Sequence, residues 1–169
     1  GDGDDNRESV IRPHAAKAAL VELAARAETG SGHPIAKAVL NAFRSRRWDP
    51  SSPGPLPDDA TVPGGAPSDV CLVDGQGIFV PSLSLLVENR ALLDAHFVPV
   101  PGDLDAASKR LASQGKTTLF VAHTAQSTAA GARGRVEGVI AVSDEIKSEA
   151  AAAVAALRAA GVEVHMITG

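Results

Sequence analysis

Between Pro13 and Thr29, Leu20, Leu23, Ala24 and Ala27 recur at three- and four-residue spacing, with proline at a tolerated first position and Thr29-Gly30 as terminator. This pattern predicts a first helix with one apolar side. A second helix is expected from Pro34, its core stripe formed by Ile35, Ala38, Val39, Ala42 and Phe43. Short apolar or alternating runs follow at 70–73, 78–80 and 83–87, the first two separated by DGQG, a hairpin signal. Residues 103–114 read as helix. TTLFVAH and RVEGVIAVS then read as two strands joined by the small-residue loop AQSTAAGARG.

Two stretches break this rhythm. Residues 45–69 hold most of the prolines and several glycines, a composition that buries too little apolar surface to offset ordering entropy, so a flexible inserted loop is expected. At the other end, DEIKSEAAAAVAALRAAG is a strong helix pattern, acidic early and basic late, and VEVHMITG follows as an apolar strand. Strand, helix and strand in succession suggest a parallel crossover, which puts a boundary near Ser143. The expected class is therefore α/β in the α+β sense: an antiparallel sheet flanked by helical hairpins, then a helix-strand segment. The divisions are a linker at 1–12, one domain at 13–143 carrying the insertion, and part of a second at 144–169. With so little of that second unit, the chain reads as a piece of a longer protein.

Composition narrows the partners. The chain has 169 residues, 44% hydrophobic, enough for a domain with a real core. Its net charge of -4 gives no broad basic surface for nucleic acid or anionic lipid. Cys71 stands alone, so an internal disulfide is excluded and a reducing compartment fits. The Ala150–Ala160 run is too short for a membrane span, and GDGDDNRES is acidic where a signal peptide is basic and apolar. The DGDD run lacks the glycine and final Glu of a calcium loop. Aromatic residues are only 3%, with no tyrosine, so a flat ligand needs another stacking partner.

The stretch AETGSGHPIAKAVL, residues 27–40, offers one. Glu28 falls in the last turn of the first helix and His33 at the start of the second, so a short link brings both to one end of a helical hairpin. A helix N-terminus favours a neutral imidazole, which is a flat stacking surface. A neighbouring carboxylate can accept hydrogen bonds from an exocyclic amine, and together the two could recognise adenine. The plainer alternative is that His33 caps the second helix and Glu28 is a solvated helix-end residue. In VDGQGIFV, Gly75 and Gly77 bracket a tight turn that could admit a ligand or simply close a hairpin. SQGKTT, residues 113–118, is not a phosphate-binding loop. Arg110 stands where the leading glycine belongs, and a helix precedes and a strand follows. His14, His96, His123 and His165 show no paired ligand spacing.

Taken together and in order, ETGSGHPIAKAV, VDGQGI, LVENRALL, GKTTLFVA and the closing GVIAVSDEIKSEAAAAVAALRAAGVEVHMITG resemble a known family. They look like the nucleotide-binding domain, with the returning edge of the phosphorylation domain, of heavy-metal-transporting P-type ATPases, copper transporters among them. The resemblance runs from about residue 14 to the end, outside the insertion. It implies that the closing helix-strand segment belongs to a Rossmann-like, haloacid-dehalogenase-type domain. It also implies that His33 contacts adenine, Glu28 helps hold it, Gly75 and Gly77 admit the nucleotide, and Asn89 reaches the ribose and phosphate side. Asp144 and Lys147 would lie at the hinge into the phosphorylation domain, and Thr168 and Gly169 at that domain's edge near the phosphorylated aspartate. The cofactor implied is ATP, with Mg2+ in the parent enzyme. The partners implied are ATP or ADP and the parent's phosphorylation, actuator and membrane domains.

On this resemblance the piece is a soluble, monomeric, cytosolic part of a membrane protein that binds ATP without hydrolysing it, while the parent spends ATP to export a metal ion. Two positions depart from the family pattern: Gly32 replaces a Glu, and Glu88 replaces the Gly before Asn89. Two other readings stay open, the cap and partial core of a soluble haloacid-dehalogenase-like phosphatase, and an interaction module that has lost nucleotide binding.

Overall fold

The computed structural model describes residues 9–10, 14–46, 49, 51–57, 60–73, 75, 77–125, 133–143 and 149–165. Its first strand, β1 (Ser9–Val10), leads into α1 (His14–Glu28) and α2 (Pro34–Ser45). β2 (Cys71–Val73), β3 (Gly77–Val80) and β4 (Leu85–Glu88) follow, then the short α3 (Arg90–Ala95) and α4 (Gly102–Ala112). β5 (Thr117–His123), β6 (Arg135–Val142) and α5 (Ala150–Ala159) complete the order. The six strands make one sheet in the order β1-β6-β5-β4-β3-β2, and every described pairing is antiparallel.

Alternation along the strands separates two cores. Ile78, Val80, Leu85, Val87, Leu119, Val121 and Ile140 face α1 and α2. Leu86, Phe120, Ala122, Val136 and Val139 face α3 and α4. Period-two burial on both faces is what a sheet covered by helices on each side requires. Val136 and Val139 share a face although they stand three positions apart, an odd spacing. A register shift explains this: Val121 pairs with Gly138 but Ala122 with Val136, so β6 carries one extra residue there.

α1 is buried more widely than a one-sided helix. Leu20, Val21, Ala24, Ala25, Ala27 and Glu28 are all at most 4% exposed, because the sheet, α2 and part of the 45–69 segment surround it. Gly138 lets α1 approach the sheet: a Cβ there would lie 2.6 Å from Leu20 Cδ2. In α2 the buried residues are Ala36, Val39, Ala42 and Phe43, so Ala36 takes the place expected for Ala38. The helix touches both α1 and β6, which widens its apolar stripe.

Past Ser45, where α2 ends, the described part of the segment to residue 69 carries no helix or strand, as its prolines demand, yet it packs. Val62 is buried in the α1–α2 core with Leu56 beside it, and the Leu56 N–H donates to the Arg44 carbonyl at 2.7 Å. β1 was not legible in the sequence; a two-residue edge strand has too little pattern to read. At the far end α5 buries none of its residues, and Val162–His165 form no strand, which corrects the start of the expected VEVHMITG strand. The parallel crossover is likewise not formed among the described residues. No described helix is long and apolar enough to cross a membrane.

Candidate functional site

α1 ends at Glu28 because the next residues turn back: the Ser31 N–H donates to the Glu28 carbonyl at 3.0 Å, and the Thr29 hydroxyl donates to the Ala25 carbonyl at 2.6 Å. Glu28 sits three, four and seven positions after Ala25, Ala24 and Val21, on the stripe that faces the core. Only 4% of it is exposed, so the reading of a solvated helix-end residue is wrong. Burial pushes its carboxyl up from 4.5 to about 7. No described group donates a hydrogen bond to that carboxyl, and the adjoining end of α1 is itself electronegative.

His33 does cap α2, as the plainer alternative held. Its Nδ1 accepts from the Ile35 N–H at 3.2 Å, and its backbone is extended at φ -68 and ψ 143. With Nδ1 engaged as the acceptor of the cap, Nε2 is the ring nitrogen left for other contacts. Because the ring itself is exposed, capping leaves its face and Nε2 open to a ligand. The Ser31 hydroxyl accepts from the His33 N–H at 3.3 Å, a contact that ordinary turn chemistry in GSGHP could have suggested.

Gly75, Gly77 and Asn89 form a second cluster. Gly75 has φ 68 and Gly77 φ 137, conformations that a side chain strains, so the turn between β2 and β3 needs glycine at both places. Gly77 pairs with Glu88, which carries the chain directly to Asn89. Asn89 is bidentate: its Oδ1 accepts from the Ala91 N–H at 2.9 Å and caps α3, while its Nδ2 donates to the Gly75 carbonyl at 2.9 Å. The glycine turn and the start of α3 are thereby locked to each other. Glu28 and His33 make the helical-hairpin corner; these three make the turn corner. α1 packs on β3 and β4, the strands that carry the turn corner.

Gly32 meets nothing within 4 Å of a built Cβ, so the missing family Glu leaves open space rather than a packing demand. The Glu88 backbone takes an ordinary place in the ladder, opposite Gly77 and Phe120. In SQGKTT the chain leaves α4, turns at Gly115 with φ 78 and enters β5 at Thr117, the reverse of a phosphate loop. The His96 and Phe79 rings lie 4.9 Å apart between centroids, tilted by 45°, His123 Nδ1 lies 3.3 Å from the Leu83 carbonyl, and His165 Nε2 lies 3.4 Å from Glu163. No group of three His, Cys, Asp or Glu side chains among the described residues could hold a metal ion. Asp144, Lys147, Thr168 and Gly169 lie outside the described residues.

Comparison with known proteins bears on the whole chain. Over 150 residues it is 33% identical to a probable copper-exporting P-type ATPase of Archaeoglobus fulgidus, covering 89% of this chain and 16% of that protein. A probable copper-exporting P-type ATPase V of Mycobacterium tuberculosis is 33% identical over 152 residues, covering 89% and 17%. The chain thus spans about a sixth of the length of these relatives. The crystal structure of a zinc-transporting PIB-type ATPase in the E2.Pi state superposes with a TM-score of 0.60 at 22% identity, over 93% of this chain and 22% of that one, which supports the fold. The resemblance to heavy-metal P-type ATPases read from the motifs is borne out by these relatives. A model of hydrolases of the haloacid dehalogenase-like type matches residues 8–169, so the chain belongs to the haloacid dehalogenase-like hydrolase family.

Proposed function

We propose that this chain is the ATP-binding segment of a metal-exporting P-type ATPase, with adenine resting on the His33 ring beside Glu28 and the rest of the nucleotide running toward Gly75, Gly77 and Asn89. The observation that carries this reading is the helical-hairpin corner, where α1 ends on the buried carboxyl of Glu28, which has no hydrogen-bond donor among the described residues, and α2 begins at the exposed ring of His33, held through Nδ1. Both groups suit a purine: the ring offers a face, and the carboxyl offers hydrogen bonds to an edge.

The similarity to copper-exporting P-type ATPases supports the larger assignment, in which the parent transfers the γ-phosphate to an aspartate in its phosphorylation domain and exports copper. Asp144, Lys147, Thr168 and Gly169 belong to that assignment as the hinge and edge of the phosphorylation domain, and Mg2+ accompanies ATP in the parent enzyme. The isolated chain binds without turnover, as a monomer, and works on the cytosolic side of the membrane. A phosphatase cap or a module without nucleotide binding has no observation in its favour.

Affinity should be modest. Stacking supplies about 1–3 kcal/mol and each neutral hydrogen bond about 0.5–1.5 kcal/mol. After association costs, about 4–6 kcal/mol remains, or a Kd from about a millimolar to some tens of micromolar. The test is displacement of a fluorescent adenine nucleotide by ATP from the wild type and from His33→Ala. The reading expects competition within that range and at least a tenfold loss in the variant; equal displacement from both would overturn it.

A further inference from the structure

Resting on the proposed adenine site, we infer that residues 60–69 are a strap that positions the last turn of α1 for the nucleotide, and that strap and nucleotide close on the hairpin corner together. The strap gives no group to the ligand; it acts through α1.

The last turn of α1 is gripped unevenly. The sheet and α2 hold the stripe of Leu20, Val21, Ala24 and Ala27. Arg26 stands about 200° round the helix from Glu28, on the side turned away from that stripe. Helix ends open more readily than helix middles, because their last carbonyls lack partners within the helix. At this end the Thr29 N–H reaches the Arg26 carbonyl at 3.4 Å, a long contact. Glu28 and His33 keep their relation only while this turn is formed.

The strap supplies the other side of the grip. Val62 is buried in the α1–α2 core, and the Gly65 N–H donates to its carbonyl at 3.0 Å, which closes a tight turn. Gly64 and Gly65 take φ 81 and 67, left-handed values that side chains strain to adopt. The turn so shaped lies on Arg26: a Cβ on Gly64 would stand 2.8 Å from Arg26 Nη2 and 2.9 Å from its Cζ. Both flanks are fastened away from the corner. The Asp69 carboxylate accepts from the Ser82 N–H at 2.6 Å and from the Ser82 hydroxyl at 2.7 Å. Before the strap, the Ala60 N–H donates to the Pro57 carbonyl at 2.9 Å and the Leu56 N–H to the Arg44 carbonyl at 2.7 Å.

The contact with Arg26 is built to be reversible. Arg26 Nε is buried without a hydrogen-bond partner among the described residues. A buried donor with no acceptor favours opening, since water then satisfies it. The closed strap is therefore poised against an open one, and a nucleotide that needs the last turn of α1 shifts the balance toward closure. By reciprocity, a strap forced open weakens the nucleotide by the factor that the nucleotide would have closed it.

Hydrogen exchange of the Gly65 amide in the whole chain, with and without saturating ATP, reads the strap, and the ATP-induced NMR shifts of Glu28 and His33 read the site. In the wild type, ATP is expected to slow Gly65 exchange about fivefold or more, although the strap does not touch the ligand. Gly64→Ala should speed that exchange and weaken ATP by a similar factor. Arg26→Met keeps the stem and removes the orphan donor, so exchange should slow and ATP should bind at least as tightly as to the wild type. Leu111→Ala, which opens a cavity under α4 on the other face of the sheet, lowers stability but should leave ATP affinity unchanged. Gly65 exchange that ignores ATP, or a folded Gly64→Ala chain with wild-type affinity, would overturn the strap. Glu28 and His33 signals that ATP never moves in the wild type would instead overturn the adenine site beneath it.

Discussion

Replacing Glu28 with Gln tests the burial of its carboxyl without any ligand. In the folded chain the group titrates at about 7 rather than at its ordinary 4.5, because it is desolvated. A folded-state value raised above the unfolded one means that the contribution is fully present below pH 4.5 and is lost as pH rises to about 7. The shift corresponds to about 3 kcal/mol at about 1.4 kcal/mol per pH unit. Gln has nearly the same shape and is neutral throughout, so the two proteins should be similar in stability near pH 5 and diverge above it. At pH 8 the variant should be more stable by up to about 3 kcal/mol, or about 6–12 °C in Tm for a chain of this size. Urea unfolding followed by circular dichroism at pH 5, 6, 7 and 8 measures this directly, and the difference between the two curves cancels every other titrating group. Curves that stay parallel across that range would refute the argument that Glu28 is neutral and unpartnered.

Three other substitutions probe the remaining geometry. His33→Asn keeps a side-chain acceptor for the Ile35 N–H but removes the ring, so thermal unfolding should change by less than about 1 kcal/mol while ATP displacement falls at least tenfold. Asn89→Ala breaks both the α3 cap and the bond to the Gly75 carbonyl; a loss of about 1–2 kcal/mol in urea unfolding is expected. Gly138→Ala places a methyl 2.6 Å from Leu20 Cδ2, and overpacking should cost about 1–3 kcal/mol by the same measurement.

Much of this arrangement could be read from the chain. The strands TTLFVAH and RVEGVIAVS were legible because their apolar runs end in clear turn residues, and the helix starting at Pro34 was legible from proline and spacing together. Glu28 was harder. Its place on the α1 stripe follows from the spacing to Val21, Ala24 and Ala25, but α1 is enclosed on three sides and periodicity reports only one. Val62 shows the same limit: composition marks its segment as unable to form a core of its own, yet a single apolar residue can join a core built by others. The doubled role of Asn89 depends on a contact with Gly75 fourteen residues away, which no local pattern contains. The closing strand expected at VEVHMITG is a different case. An apolar run forms a strand only beside another strand, and Val162–His165 have none among the described residues.

The most direct test of the adenine site is a backbone NMR titration of the whole chain with ATP at pH 7. The account predicts that the largest shifts fall on Glu28, His33, Gly75, Gly77 and Asn89, with saturation between tens of micromolar and about a millimolar. Shifts centred on another surface, or a spectrum unchanged at several millimolar ATP, would contradict it.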